Sequence, residues 1–231
     1  MTTAPDGPVF TDDKAEPVSN KILFDTYHLR INFINPILGS QPGSGTPASN
    51  YLKDKIKKDN PDAPVEQDQE TLPEMMTKGT TCFFRDKTML HPVLKSYQVK
   101  GLLKECGEVL NGVAELKALR SKLDNVLFVS PSDLPIKKES GELFSVEELQ
   151  ICERPLRAIT MQGPRTSLAR SEMVPAETYI ECDIKMLSVP RYKIKEEVLR
   201  ILLDYGMLKG FGQWRNSGMY GQFTYHLEKT N

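Results

Sequence analysis

The segment TYHLRINFI (residues 26–34) alternates strictly: Tyr27, Leu29, Ile31 and Phe33 are apolar, and His28, Arg30 and Asn32 between them are polar. That period of two marks a strand with one face in the core and the other toward solvent or a ligand. The pattern then changes. In SYQVKGLLKECGEVLNGVAELKALRSKL (residues 96–123), Val99, Leu102, Leu103, Cys106, Val109, Leu110, Val113, Leu116 and Leu123 fall at steps of three and four, which predicts a helix burying one face. Gly101, Gly107 and Gly112 interrupt it at about 1 kcal/mol each relative to Ala, so packing must outweigh them, and close backbone approach is one compensation.

A β-rich run follows. NVLFVSP (125–131) and RPLRAITM (154–161) flank a polar hairpin or loop over 132–148. PAETYIECDIKML (175–187) alternates Thr178, Ile180, Cys182, Ile184 and Met186 with Tyr179, Glu181, Asp183 and Lys185, again at strand period. YKIKEEVLRILLDYG (192–206) puts Ile194, Val198, Ile201, Leu202 and Tyr205 on one helical face and predicts a stop at Gly206 as a C-cap. Phe223, Tyr225 and Leu227 alternate with Thr224 and His226 as a last strand. The order strand, helix, two or more strands, helix, strand predicts an α+β fold. Its core is a ferredoxin-like (RRM-like) βαββαβ unit with an antiparallel sheet and both helices on one face.

Two stretches stand outside this pattern. Residues 1–20 carry three prolines and an excess of acids, and read as a disordered acidic tail. Residues 39–79 begin LGSQPGSGTPAS and continue charged and proline-punctuated; they read as a long loop or insertion, with a short helix near Tyr51 to Lys57. The expected organisation is one domain over 21–231, with that insertion and a hairpin over about 153–172.

Composition narrows the chemistry. With 30 basic and 31 acidic residues the net charge is −1, so any polyanion site must be a local patch. Cys82, Cys106, Cys152 and Cys182 lie far apart without a C-x-x-C pair, and read as reduced thiols rather than zinc ligands or a disulfide framework. The first residues lack a basic n-region and an apolar h-region, and 18 apolar residues nowhere run together, so a cytoplasmic protein is expected. No G-x-x-x-x-G-K-[ST], H-E-x-x-H, G-x-S-x-G or metal-spaced carboxylate cluster occurs, and no cofactor, metal or positive enzyme signature is expected.

Three local patches remain. KGFGQWRNSGMYGQF (209–223) combines Gly210, Gly212, Gly218 and Gly221, which accept positive φ and can turn backbone N–H groups toward a phosphate, with Lys209, Arg215 and Trp214. Trp214 either stacks on a base or plugs the core. Arg154, Arg157, Arg165 and Arg170 outnumber Glu153 and Glu172, and Gly163-Pro164 form a flexible tip, so this hairpin either grips a nucleic-acid backbone or is a solvated loop with surface ion pairs. His28 and His226 lie off the apolar faces of the first and last strands. They are the weak catalytic candidates, for acid and base roles in 2′-OH attack on RNA, against a structural role.

In this order the motifs resemble the RAMP superfamily of CRISPR-associated proteins, especially the backbone subunits along a guide RNA. ILGSQPG is similar to the family's first strand running into a small-residue loop, YQVKGLLK to its lysine-glycine helix start at Lys100 and Gly101, and NVLFVSPSDLP and VPAETYIECDIKML to its middle strands. LLDYGMLKGFGQWRNSGMYGQFTY resembles the glycine-rich signature near the C-terminus. The resemblance spans roughly Lys21 to Glu228 and implies binding of single-stranded guide RNA, and possibly target RNA, through its backbone. Lys100 and the glycine loop would hold phosphates while the hairpin organises bases, alongside copies of the chain or other CRISPR-type subunits and no membrane. There are two departures. Members that cleave target RNA carry an aspartate in the loop after the first strand, and here LGSQPGSGTPASN contains no acidic residue before Asp54; Gln213 and Trp214 replace small or basic residues in the glycine loop. KGFG also opens like the RNP1 motif of RRM domains, but Gln213 and Asn216 stand where its stacking aromatics belong. The alternatives are an RNA-processing endonuclease of the same fold and a non-catalytic protein-interaction module that mimics or caps such an assembly.

Overall fold

The alternation of residues 26–34 becomes the central strand β1 (Phe24–Phe33), in which Tyr27, Leu29, Ile31 and Phe33 are all buried. The computed structural model describes residues 24–42, 80–112, 117–160, 163–190 and 192–230. The expected tail over 1–20, and the expected insertion beyond residue 42 with its short helix, lie outside the described residues.

Short strands β2 (Ile37–Leu38), β3 (Gln41–Pro42), β4 (Thr80–Cys82), β5 (Phe84–Arg85) and β6 (Pro92–Lys95) lead into helices α1 (Ser96–Val109) and α2 (Leu119–Val126). Strands β7 (Leu127–Ser130), β8 (Asp133–Pro135) and β9 (Lys137–Lys138) precede two long ones, β10 (Gln150–Thr160) and β11 (Gly163–Val174). β12 (Thr178–Leu187), α3 (Glu196–Lys209) and β13 (Phe223–Lys229) complete the chain. The fold is mixed α+β with three α-helices among the described residues, and its pairings are antiparallel except β11 with β4.

The main sheet has the order β13-β1-β12-β7, with β9 extending β12. Its four principal strands therefore stand in the spatial order fourth, first, third, second. One face of this sheet carries the core: the buried β1 residues, Ile180, Cys182, Ile184 and Met186 of β12, and Phe223 and Leu227 of β13. Against it pack Val99, Leu102, Leu103 and Cys106 of α1 and Val198, Leu199, Leu202 and Leu203 of α3. Each fully buried aliphatic side chain stabilises by roughly 1.5–3 kcal/mol. A second sheet, β10-β11-β4-β3 with β2 on β11, is dominated by the β10/β11 hairpin, in register from Gln150↔Met173 to Thr160↔Gly163.

Two details depart from the sequence pattern. Gly206 does not end its helix. It sits buried inside α3, where an added Cβ would lie 3.4 Å from Phe223 Cζ and 3.7 Å from Cys106 Sγ, and the helix runs one turn further to Gly210 at φ +83°. Glu196 and Glu197 in the first turn and Lys209 in the last complement its macrodipole. The long stripe from Val99 to Leu123 divides into α1 and α2; Val113 and Leu116 lie outside the described residues. Gly107 is where the two helices close up, an added Cβ there falling 2.6 Å from Leu123 Cδ1. Gly101 has open space around it.

Candidate nucleic-acid interface

Because side chains on a strand alternate in direction, the described hairpin arginines Arg154, Arg157 and Arg170 do not form one patch. Arg170 faces Glu153 across the register, with Nε 2.8 Å from the carboxylate, while exposed Arg157 stands opposite Thr166. Arg165 occupies the register position opposite Ala158; Gly163 and Pro164 belong to β11 rather than to the tip. Arg154 points the other way, into the join between the hairpin and the loop that follows α3.

There Arg154 meets the glycine loop. Its guanidinium carbon lies 4.4 Å from the Trp214 ring centroid and 5.5 Å from that of Tyr220. Its Nη2 donates to Ser171 Oγ at 3.0 Å, while Nε and Nη1 are buried without a hydrogen-bond acceptor among the described residues. Neither glutamate of the hairpin neutralises it: Glu153 is held by Arg170, and Glu172 accepts from Arg85 at 2.5 Å and from the Phe83 amide at 2.8 Å. Trp214 is 41% exposed with φ +54°, so it is no core plug. Phe211, 2% exposed and edge-to-face on Phe33 at 6.2 Å, fills that role.

The loop glycines answer first to close backbone packing. A Cβ on Gly221 (φ +65°) would fall 1.9 Å from the Phe211 carbonyl oxygen, and one on Gly210 2.4 Å from that of Tyr220. The amides of Gly210, Phe211 and Gly221 already donate to the carbonyls of Gly206, Gly221 and Pro36. Gly212 (φ +80°) packs on Leu38 O, whereas Gly218, which packs on Trp214, has no positive φ. The two loop bases share one carboxylate of α1: Lys209 Nζ lies 2.7 Å and Arg215 Nη2 2.8 Å from Glu105. Burial alone pushes the Glu105 carboxyl up, but Lys209 and Arg215 outweigh it and hold it below its usual value.

Between this loop and α1 runs a groove of about 330 Å³, lined by Tyr97, Gly101, Leu102, Phe211, Gly212 and Arg215 among others. Gly101 thus lines one groove together with Phe211, Gly212 and Arg215 of the glycine loop. Lys100 does not. It lies a full turn into α1 and reaches α2, donating to the Asp124 carbonyl at 2.8 Å and sharing the Asp124 carboxylate with Lys104.

On the far face of the main sheet, His28 Nδ1 lies 2.9 Å from Asp183 and His226 Nε2 2.8 Å from Glu228. The register sets His28 opposite Asp183 and Glu228, and His226 opposite Arg30, so the two histidines are diagonal neighbours on adjacent strands. Arg30 stacks on Tyr179 at 3.7 Å in a groove of about 660 Å³ beside them. Glu181, Asp183 and Glu228 make the surroundings of His28 acidic.

No family model and no curated protein matches the chain. It is similar to solved chains that include one from a cryo-EM structure of the Type III-B Cmr-beta bound to cognate target RNA, at 12% identity with a TM-score of 0.44. The similarity covers 90% of this chain and 62% of that one, so this chain spans less than two thirds of its length. No described helix is long and apolar enough to cross a membrane.

Sequence reasoning missed Glu105, Tyr220, Thr81 and Ser171. Glu105 sits at i+4 from Gly101 on the groove face of α1, a spacing that carries a signal only once the loop is known to cross there. Thr81 and Ser171 come from distant segments and leave no local pattern.

Proposed function

We propose that this chain is an RNA-binding, RAMP-like subunit with a ferredoxin-like core, holding single-stranded guide RNA through its backbone within a CRISPR-type ribonucleoprotein assembly in the cytoplasm. The order of sequence motifs supports it, as does the fourth-first-third-second order of the main strands with both large helices on one face. The observation that carries the reading is the stack of Arg154 on Trp214. It joins the arginine hairpin to the glycine loop and leaves an exposed indole backed by an arginine with no carboxylate partner among the described residues, beside a groove floored by Gly101. Aromatic platforms with adjacent cations are how single strands are held without regard to sequence.

The test is a titration of labelled single-stranded RNA at several salt concentrations. Log K should fall linearly with log salt, with a slope near −0.7 per phosphate neutralised. The mass and the 260/280 nm absorbance ratio of the purified protein report a bound guide directly. Absence of salt-sensitive binding, alone and in an assembly, refutes the reading.

An RNA-processing endonuclease of the same fold is the second reading, favoured by the diagonal placement of His28 and His226. It requires RNA cleavage that disappears in His28→Ala or His226→Ala.

A further inference from the structure

Gln213 stands where the glycine loop departs from the pattern it otherwise follows, and its surroundings fix which end of its carboxamide faces out. Gln213 Oε1 lies 3.0 Å from Thr81 Oγ1 and 3.4 Å from Ser171 Oγ; the two hydroxyls are 2.8 Å apart, and Ser171 also accepts from Arg154 Nη2. A guanidinium only donates. Ser171 accepts from Arg154 Nη2 and from Thr81, and both hydroxyls reach Gln213 Oε1 as donors. The carbonyl end of the Gln213 amide therefore faces the two hydroxyls. Ser171 is 1% exposed, so the network is anchored in the protein rather than in solvent. The Gln213 NH2 group lies on the other branch of the same planar amide and meets no acceptor among the described residues. It is presented next to Trp214, whose ring is backed by Arg154.

Resting on the RNA-binding reading above, we infer that Gln213 and Trp214 form a base-reading site that prefers keto bases. Trp214 stacks the base, and the Gln213 NH2, which only donates, pairs with a base-edge carbonyl. Uracil and guanine offer such an oxygen at the edge where cytosine and adenine carry an amino group, itself a donor. Uracil and cytosine share ring size and stacking surface, so they isolate the hydrogen bond. The network acts as a positioning device: Thr81, Ser171 and Arg154 never touch the base, yet hold the amide in one orientation.

Trp214 is the sole tryptophan, so its fluorescence reports this site alone. Full-length protein is titrated with oligouridylate and oligocytidylate of equal length at fixed salt, following quenching and, in parallel, anisotropy of labelled RNA. Oligouridylate should half-saturate at a concentration about threefold to tenfold lower, the size a single neutral hydrogen bond confers. In Gln213→Glu, which keeps the inward oxygen and replaces the donor with an acceptor, the preference should vanish or invert, and in Gln213→Ala it should vanish, with quenching retained in both. Equal half-saturation for the two oligomers, or a preference that survives both substitutions, overturns the inference and leaves RNA binding standing. Anisotropy change without quenching does the same, because the base is then not on Trp214. No binding by either readout, for the protein alone and in an assembly, removes the RNA-binding reading itself.

Discussion

Arg154 and Trp214 face each other across the join between the hairpin and the glycine loop, the guanidinium carbon 4.4 Å from the ring centroid. A buried cation is costly without a partner. Here the π faces of Trp214 and Tyr220 and one serine oxygen replace a carboxylate. The same contact holds the hairpin base against the loop and backs one face of the indole, so its loss should register in stability and in binding.

In a double-mutant cycle, Arg154→Ala and Trp214→Ala should couple by about 0.5–2 kcal/mol in denaturant unfolding, the range of cation–π pairs from exposed to desolvated. Trp214→Ala should also weaken single-stranded RNA binding by about 1–3 kcal/mol. Arg154→Lys should recover little of either, since an ammonium lacks the planar face that stacks. Additive single effects would show that the two side chains stand near each other without mutual support.

Much of this framework is legible in the sequence because it repeats. β1 and β12 show their buried faces as unbroken alternation, Tyr27 to Phe33 and Thr178 to Met186, since each has one face in the core. Gly206 was misread because two glycines four residues apart both suit a helix end, and only the approach of Phe223 and Cys106 shows which one is packed inside. The arginines were legible as a count but not as a direction: alternation sends Arg154 inward and Arg157 and Arg170 away. The Gln213 network was invisible, its partner Thr81 lying 132 residues upstream.

Glu105 holds the two loop bases by ion pairs that phosphate would have to break. Glu105→Gln should therefore tighten RNA binding, on the order of threefold to tenfold at low salt and less as salt rises. Stability should move the other way. The carboxylate is 38% exposed, so solvent screening keeps the loss on the order of 1 kcal/mol. Its folded pKa lies below the unfolded value of about 4.3, so the contribution is complete above that pH and disappears as pH falls through the folded pKa. Urea unfolding of both proteins from pH 7 to 3 should show the gap closing at the acid end. A gap that persists at pH 3 would place the stabilisation elsewhere.

The free thiols divide into two classes. Burial pushes Cys106 up to about 11 and Cys182 up to about 12, so neither forms appreciable thiolate near neutrality. Burial and Glu172 push the Cys82 thiol up as well, but Cys82 and Cys152 are only half-buried, and it is access that separates them from the other two. Labelling native protein with a thiol reagent at pH 8, counted by peptide mass spectrometry, should modify Cys82 and Cys152 alone, and all four after unfolding. Native modification of Cys106 or Cys182 would contradict the packing of α1 and β12 on the core.

Gly101 separates a demand of the fold from a demand of the site. Glycine within a helix is destabilising by about 1 kcal/mol relative to Ala, and α1 has no packing reason to accept that, since an added Cβ at Gly101 meets nothing within 4 Å. Gly107, one turn and a half further on, does have one. What Gly101 does is floor the groove beside Gly212 and Arg215. Gly101→Ala should therefore stabilise the protein by about 0.5–1 kcal/mol, with RNA affinity changed little by one methyl group. Gly101→Leu, also a strong helix former, should keep that gain in thermal unfolding but fill the groove and weaken RNA binding by about tenfold, or 1.4 kcal/mol. The paired readout matters because a misfolded variant would lose both. Unchanged affinity in a stable Gly101→Leu protein would show that bound RNA bypasses the groove, leaving the Arg154–Trp214 platform as the surface that holds it.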